Sequence, residues 1–535
     1  MRGETMAFSW WAVMCASCAA LVLSSRHLMH LFQLESYQFM GYFRSLKRNL
    51  RQVLLESGAL ALGHVLVYLL SRILGAGAWV ILYASLLVLL GWLLFRYEAG
   101  RKEKKKLAYT ARIKRLLVAQ AQTYLVLEML FSRAVLSGIQ LLLAILFPLL
   151  VPIWFALAAL VVLPVEKGIQ ELYFRDAQKM LKDRPDLIKI GITGSYGKTS
   201  VKFILGTLLS EKYQTLVTPS SFNTPMGLTK VIRSSLLPSH QVFVAEMGAR
   251  HVGDIRELCR LVHPSLGVLT SVGAQHLDTF RTVERIRDTK YELMESLPES
   301  GTCFFVDDHA ICRELYDKTQ KEKWLVALSP ETRADVWAEE VEVGPFGSRF
   351  KLCTKGGSVA CETRLLGEHA IANILLSAAV CLKLHMTLMQ IARGIARLEP
   401  VEHRLQLVQR PGGITIIDDA FNSNPAGSSA ALRVLARFPG RRIIITPGMV
   451  ELGHEEAHFN REFGRQMAKS TDVVILVGTK HTSPIREGLL EEGFAEESMY
   501  TVQSLTQAAQ LLGDIAQEGD TVLFENDLPD NYSEV

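Results

Sequence analysis

The chain has 535 residues, 49% of them hydrophobic and 21% charged, with a formal net charge of +4. That length suits roughly three or four domain-sized units. The mean hydropathy of +0.19 is high for a soluble enzyme. The charge balance excludes a disordered charged tail protein and a nucleic-acid binder that works by bulk charge alone, and eight cysteines are too sparse for a disulfide scaffold and fit a reducing compartment.

The apolar excess lies in residues 1–165. Residues 6–24 and 73–95 carry no charge, and 53–71 carry only Glu56. A membrane span takes about 20 apolar residues to cross roughly 30 Å of hydrocarbon. The first stretch has only Arg2 before its apolar run and is followed by further spans, so it reads as a retained span rather than a signal peptide. Residues 134–165 are uncharged, too long for one ordinary span, and contain Pro148, Pro152 and Pro164. They read as a helical hairpin turning near Pro148–Pro152, which brings the expectation to about five spans. Arg26, Arg44, Lys47, Arg48 and Arg51 lie in 25–52. The run Arg101, Lys102, Lys104, Lys105 and Lys106 lies in 96–133, followed by Arg112, Lys114 and Arg115. Both segments read as cytoplasmic loops. The expectation is an inner-membrane, multi-pass region, with everything after residue 166 on the cytoplasmic side.

Ionisable groups inside a span are functional candidates by default. Here the plainer reading is that Glu56 lies near the interface and His64 packs between helices. Cys15 and Cys18 have the spacing of a redox pair, but small-residue helix packing explains them better.

After a charged linker, 166–186, short β-branched runs alternate with amphipathic helical segments. Strands are expected at 187–193, 241–246, 266–271 and 302–306, which implies a parallel sheet covered on both faces. Residues 335–366 read as a small antiparallel addition, and helix returns at 369–397. A second α/β unit is expected from 401, with strands at 414–418, 442–446, 473–477 and 521–525. The expected organisation is a transmembrane helical region (1–165), an α/β P-loop domain (187–400) and a Rossmann-like α/β domain (401–535). Asp307-Asp308, at a strand end, reads as a solvated turn.

Residues 191–200 read Gly-Ile-Thr-Gly-Ser-Tyr-Gly-Lys-Thr-Ser, between a strand and a helix. Gly194 and Gly197 let the backbone turn tightly, so that N–H groups point at phosphate oxygens. The helix N-terminus adds its positive end. Lys198 would reach the β- and γ-phosphates, and the Thr199 hydroxyl would hold Mg²⁺. The general phosphate-loop pattern wants glycine where this chain has Ile192.

That departure is informative, because Thr193-Gly194-Ser195-Tyr196-Gly197-Lys198-Thr199-Ser200 resembles the loop of the Mur ligases, ATP-dependent amide ligases of peptidoglycan precursor synthesis. Further matches follow in the family's order. Ser221-Phe222-Asn223-Thr224-Pro225-Met226-Gly227 is similar to the segment after the second strand. Glu246-Met247-Gly248-Ala249 and Ser271-Val272-Gly273-Ala274-Gln275-His276-Leu277-Asp278 resemble the MurF branch. Lys290 stands where several members carry a carbamylated lysine. Glu402-His403-Arg404-Leu405 resembles the arginine segment that opens the last domain. Asp418-Asp419-Ala420-Phe421-Asn422-Ser423-Asn424-Pro425 and Pro447-Gly448-Met449-Val450-Glu451-Leu452-Gly453 are close to two further MurF-branch motifs.

The resemblance implies that a carboxylate attacks the γ-phosphate of ATP, giving an acyl phosphate and ADP, and that an amine then displaces phosphate. It implies catalytic roles for Lys198, Glu246, His276, Lys290 and Arg404. Nucleotide contacts would come from residues 193–200, Asn373, Arg404, Asp419 and Asn422. Thr199 and Glu246 would hold one Mg²⁺, and His276 with a carbamylated Lys290 a second, since a carbamate offers the oxygen ligands Mg²⁺ prefers. The implied partners are ATP, an amino-acid or dipeptide amine, and a carboxylate acceptor. Two departures stand out. Gly367-Glu368-His369-Ala370-Ile371-Ala372-Asn373 has Ala370 where the family's adenine-side segment has Asn. The membrane region occupies the place of MurF's UDP-binding domain, which leaves open a lipid-linked acceptor or one gripped differently. The alternatives are a membrane-anchored polyglutamate-type synthase on the same scaffold, and an ATP-driven transporter or scaffold with a non-catalytic ligase domain.

Overall fold

A computed structural model describes residues 2–35, 37–74, 80–101, 106–133, 140–220, 222–330, 333–409, 413–421 and 423–528. They fall into two compact units, one ending at Glu171 and one running from Leu172 to Leu528.

The first unit is helical. Its helices are Arg2–Ser24, Arg26–Leu34, Phe39–Arg48, Leu50–Leu74, Val80–Ala99, Ala111–Arg133, Gln140–Leu149 and the start of Val151–Lys182. Among the described residues, four stretches are long and apolar enough to cross a membrane: Trp11–Leu34, Leu50–Leu70, Val80–Ala99 and Val151–Lys182. Tyr42, Tyr83, Leu87, Tyr124 and Phe155 form its core, while Leu62, Ile73, Ile81 and Trp92 stand exposed. At Gly91 the helix Val80–Ala99 meets the first helix backbone to backbone: an added Cβ would lie 2.6 Å from Ala20 Cα. This is the close approach that small residues permit between apolar helices.

Several expectations for this unit need correction. Segments 25–52 and 96–133 are largely helical rather than loops. Arg26 is buried and donates to the Glu98 carbonyl at 3.0 Å. Helix Ala111–Arg133 packs on the first helix, with Ser17 donating to Glu128 at 2.5 Å and Ser25 bonded to Tyr124 at 3.2 Å. Glu56 is buried and takes a hydrogen bond from Gln52 at 2.9 Å. His64 does pack between helices, bonded to Ser17 at 2.7 Å and the Leu60 carbonyl at 2.8 Å. Cys15 and Cys18 are free thiols. Of the expected hairpin, 134–139 lie outside the described residues. A helix break falls at Leu150, and one continuous helix runs from Val151 through Pro152 and Pro164 to Lys182. Most of the expected linker is therefore helical.

The second unit contains two sheets. The first is built from β1 (Ile188–Thr193), β2 (Thr215–Val217), β3 (Val242–Glu246), β4 (Leu266–Leu269), β5 (Thr302–Val306), β6 (Glu322–Ala327), β7 (Val336–Gly344), β8 (Gly347–Thr354) and β9 (Gly357–Thr363). Their order is β2-β3-β1-β4-β5-β6-β7-β8-β9. Pairing is parallel up to β7 and antiparallel in β7-β8-β9, the addition expected over 335–366. Successive residues feed opposite cores: Val242 and Val244 face one, Phe243 and Ala245 the other. This is the period of two that a sheet covered on both faces requires. The second sheet holds β10 (Gln406–Gln409), β11 (Thr415–Asp419), β12 (Arg442–Thr446), β13 (Val473–Val477), β14 (Met499–Val502) and β15 (Thr521–Glu525), in the order β10-β11-β15-β12-β13-β14. Only β10 pairs antiparallel.

Strand β1 lies between β3 and β4, so the chain order reverses at its end, where open α/β sheets bind ligands. The turn at 307–308 is not simply solvated. The Asp307 side chain is buried against Arg313 at 3.1 Å, and Asp308 accepts backbone N–H bonds from Ala310 and Cys312, at the start of helix Ile311–Lys318.

Candidate active site

The loop between β1 and helix Lys198–Leu209 needs both its glycines. A Cβ on Gly194 would collide with Thr270 Oγ1, and one on Gly197 would lie 2.9 Å from Asn373 Oδ1. Gly197 also has φ +78°, in the left-handed region that favours glycine. The loop is pinned from outside. The amides of Ser195 and Tyr196 donate to the Ser271 carbonyl and hydroxyl at 2.8 Å each. Ser195 Oγ donates to the Gly273 carbonyl at 3.0 Å, and the Tyr196 hydroxyl to the Ala274 carbonyl at 2.7 Å. Thr193 is buried and donates to the Met247 carbonyl at 3.1 Å. Thr193 and Ser195 thus brace the loop. The amides left to face an anion are those of the first helical turn, around Lys198, Thr199 and Ser200, which a helix leaves without intrahelical partners. Lys198 curls over the loop and donates to the carbonyls of Gly194 at 2.6 Å and Ser195 at 2.9 Å. Burial pulls its ammonium down to about 8; Glu246 opposes that shift and Arg404 adds to it.

Glu246, at the end of β3, is 1% exposed. Thr199 donates to its Oε1 at 3.2 Å and Asn223 to the same oxygen at 3.0 Å, while Lys202 donates to Oε2 at 3.0 Å. Lys202 also reaches the Ser220 carbonyl. Lys290, on helix Val283–Ser296, is 1% exposed. Burial holds its amine well below the ordinary lysine range, and the charge of Lys198 adds to the shift. His276 donates from Nδ1 to Glu451 Oε2 at 2.6 Å, and burial lowers its imidazole despite that carboxylate. Among the described residues no three His, Cys, Asp or Glu side chains converge as a ready metal site. The donor set here is oxygen-rich, and suits a hard cation that keeps waters and phosphate oxygens as ligands.

Beside the loop lies a cavity of about 340 Å³. Phe203, Ile204, Leu366 and Leu398 give it apolar walls, and Gly197, Ser200 and Asn373 line its loop end. Ala370 and His369 also line it, and burial pulls His369 down to about 4. From the C-terminal part come Arg404, just before β10, and Asp419 and Glu525 on the sheet. Arg404 stacks on the Phe421 ring at 4.5 Å. Asp419 and Glu525 are register partners on β11 and β15. Burial raises both carboxyls, Asp419 to about 6 against the opposing charge of Arg404, and the charge of Asp419 adds to the shift of Glu525. Asn422 lies outside the described residues.

Residues 192–381 match the Mur ligase middle domain, and residues 403–525 match the Mur ligase glutamate ligase domain. A UDP-N-acetylmuramoyl-tripeptide–D-alanyl-D-alanine ligase of Mycobacterium tuberculosis is 32% identical over 359 residues, covering 63% of this chain and 69% of the relative. The chain belongs to the Mur ligase family. The enzyme of the same name from Mycobacterium bovis is 33% identical over 316 residues, 57% of this chain, which spans 61% of that relative's length. A crystal structure of MurF from Acinetobacter baumannii superposes with a TM-score of 0.61 at 25% identity, covering 67% of this chain and 77% of that one.

In this member of the Mur ligase family, Lys198, Thr199, Glu246, Asn373, Arg404 and Asp419 gather around the loop and cavity. Reading the sequence missed Lys202 and Glu525. Lys202 carries a signal in hindsight: it lies four residues after Lys198, on the same helical face. Glu525 carries none, since only the sheet order brings β15 beside β11.

Proposed function

We propose that the chain is a membrane-anchored, ATP-dependent amide ligase of the MurF type. It joins an amino acid or dipeptide to a carboxylate of a peptidoglycan precursor. The observation that carries this reading is the convergence of the helix N-terminus, Lys198, the Thr199–Glu246 pair and Arg404 on one cleft. A carboxylate is a poor electrophile and must be activated. Its attack on the γ-phosphate of ATP forms an acyl phosphate and releases ADP; the amine nitrogen then bonds to the carbonyl carbon, and phosphate leaves. The first step crowds anions, which Lys198, Arg404 and the helix amides neutralise. Magnesium, when bound, supplies further positive charge on the phosphate oxygens. Thr199 and Glu246 would hold one ion, and His276 with Lys290 a second. Lys290, whose amine burial holds well below the ordinary lysine range, can in its neutral form add CO₂ at nitrogen and lose a proton, which gives the oxygen ligand this role needs.

The apolar helices of the first unit would anchor the enzyme in the inner membrane, with its ATP-using unit on the cytoplasmic side. An anchored enzyme suits a lipid-linked acceptor. The test is detergent-purified protein given ATP, D-alanyl-D-alanine or other amines, and either soluble UDP-linked or lipid-linked precursor. Phosphate release that needs both amine and acceptor, with a product of matching mass, is expected. Release that ignores the amine would overturn the ligase reading. Equal turnover of the soluble precursor would remove the lipid-linked one.

A further inference from the structure

We propose that Glu451 is a positioning residue for this reaction. Carried on the C-terminal α/β part, it fixes the ring of His276 so that Nε2 is presented as a metal ligand. The inference rests on the metal role given to His276 above.

The contact is short, 2.6 Å between His276 Nδ1 and Glu451 Oε2, and both side chains are largely shielded, at 16% and 17% exposure. A carboxylate can only accept, so Nδ1 carries the proton, and a neutral ring then has its lone pair on Nε2. Histidines that bind metal through one nitrogen usually give the other to such a carboxylate, which sets both tautomer and ring angle. Both backbones are held in the left-handed region, with φ 52° at His276 and 65° at Glu451. Residues other than glycine rarely sit there, and such strain persists only where the surroundings impose it. Glu451 is itself oriented: its Oε1 faces Arg250 at 3.4 Å, four residues after Glu246. Docking of the two loops leaves little room. A Cβ on Gly453 would lie 3.4 Å from Asp278 Oδ1, and the turn Gly453–Glu455 packs on the short helix Leu277–Phe280. One carboxylate thus ties the C-terminal part to two segments of the middle domain that carry metal candidates, those of Glu246 and His276. If the C-terminal part swings away, His276 loses its orienting partner.

The test is Mn²⁺ binding, read by electron paramagnetic resonance in the presence of a non-hydrolysable ATP analogue. Glu451→Ala should weaken Mn²⁺ binding about 10–100-fold, and analogue binding in EDTA should be unchanged. Glu451→Gln keeps the shape and an acceptor oxygen, and should lose less. His276→Ala should lose as much as Glu451→Ala, and the double variant no more than either, because the two act as one unit. Mn²⁺ binding that is unchanged in Glu451→Ala but weakened in His276→Ala would overturn the positioning role alone. Binding unchanged in both would overturn the metal role of His276 with it.

Discussion

Lys202 and Glu246 form an almost fully buried ion pair at 3.0 Å, one helical turn from the phosphate loop. Removing one partner of such a pair strands the other charge and costs about 3–5 kcal/mol. Lys202→Met is therefore expected to lower unfolding stability by that order in denaturant melts; a loss under about 1 kcal/mol would mean Glu246 finds other neutralisation. Asp419 and Glu525 make a pH prediction. Their carboxyls are raised in the fold by burial, Asp419 to about 6, and the charge of Asp419 adds to the shift of Glu525. A raised acid contributes its stability in full below the ordinary carboxylate range and loses it as pH rises through its folded value. Stability should thus fall from about pH 4 upward through pH 6. Glu525→Gln removes one ionisation and leaves an acceptor for Ser423, which now donates to Glu525 at 2.6 Å. Its melting temperature should exceed the wild type's at pH 8, at about 2–4 °C per kcal/mol gained, and the advantage should vanish near pH 4. Parallel melting curves at all pH values would contradict the buried-carboxyl reading. Lys198, Thr199 and Glu246 were legible because motif and local structure coincide. Glu525 was not: an acid at a strand end resembles a solvated terminus until strand order is known.

At the scale of elements, the phosphate loop and the main strands followed from periodicity and glycine spacing. The strands that escaped notice, β2, β6, β10 and β14, are short, polar or at sheet edges, where the alternating pattern has few residues in which to appear. Segments 25–52 and 96–133 were misread for a different reason. Clustered Lys and Arg mark a loop and the polar face of an amphipathic helix alike, and only packing against the first helix separates them. Elsewhere in this unit, the close contact of two apolar helices depends on small residues. Gly91→Val would force the helices Arg2–Ser24 and Val80–Ala99 apart, since an added Cβ already meets Ala20 Cα at 2.6 Å. The variant is expected to lose protease resistance in the N-terminal unit while the ligase unit still binds nucleotide. Unchanged resistance would contradict the close helix contact.

For the whole molecule, the apolar outer surface of the first unit predicts that the chain stays with membranes through high salt and alkaline carbonate and leaves only with detergent. Release by salt alone would mean the helices lie on a surface or pack with a partner rather than span a bilayer. All of the proposed chemistry depends on one cleft gripping a triphosphate. The most direct measurement is calorimetric titration of Mg²⁺–ATP into detergent-purified wild type and Lys198→Ala. Saturable binding to the wild type and at least a hundredfold loss in the variant, about 2.7 kcal/mol or more, are expected; equal binding by both proteins would contradict the assignment of residues 193–200 as the nucleotide site.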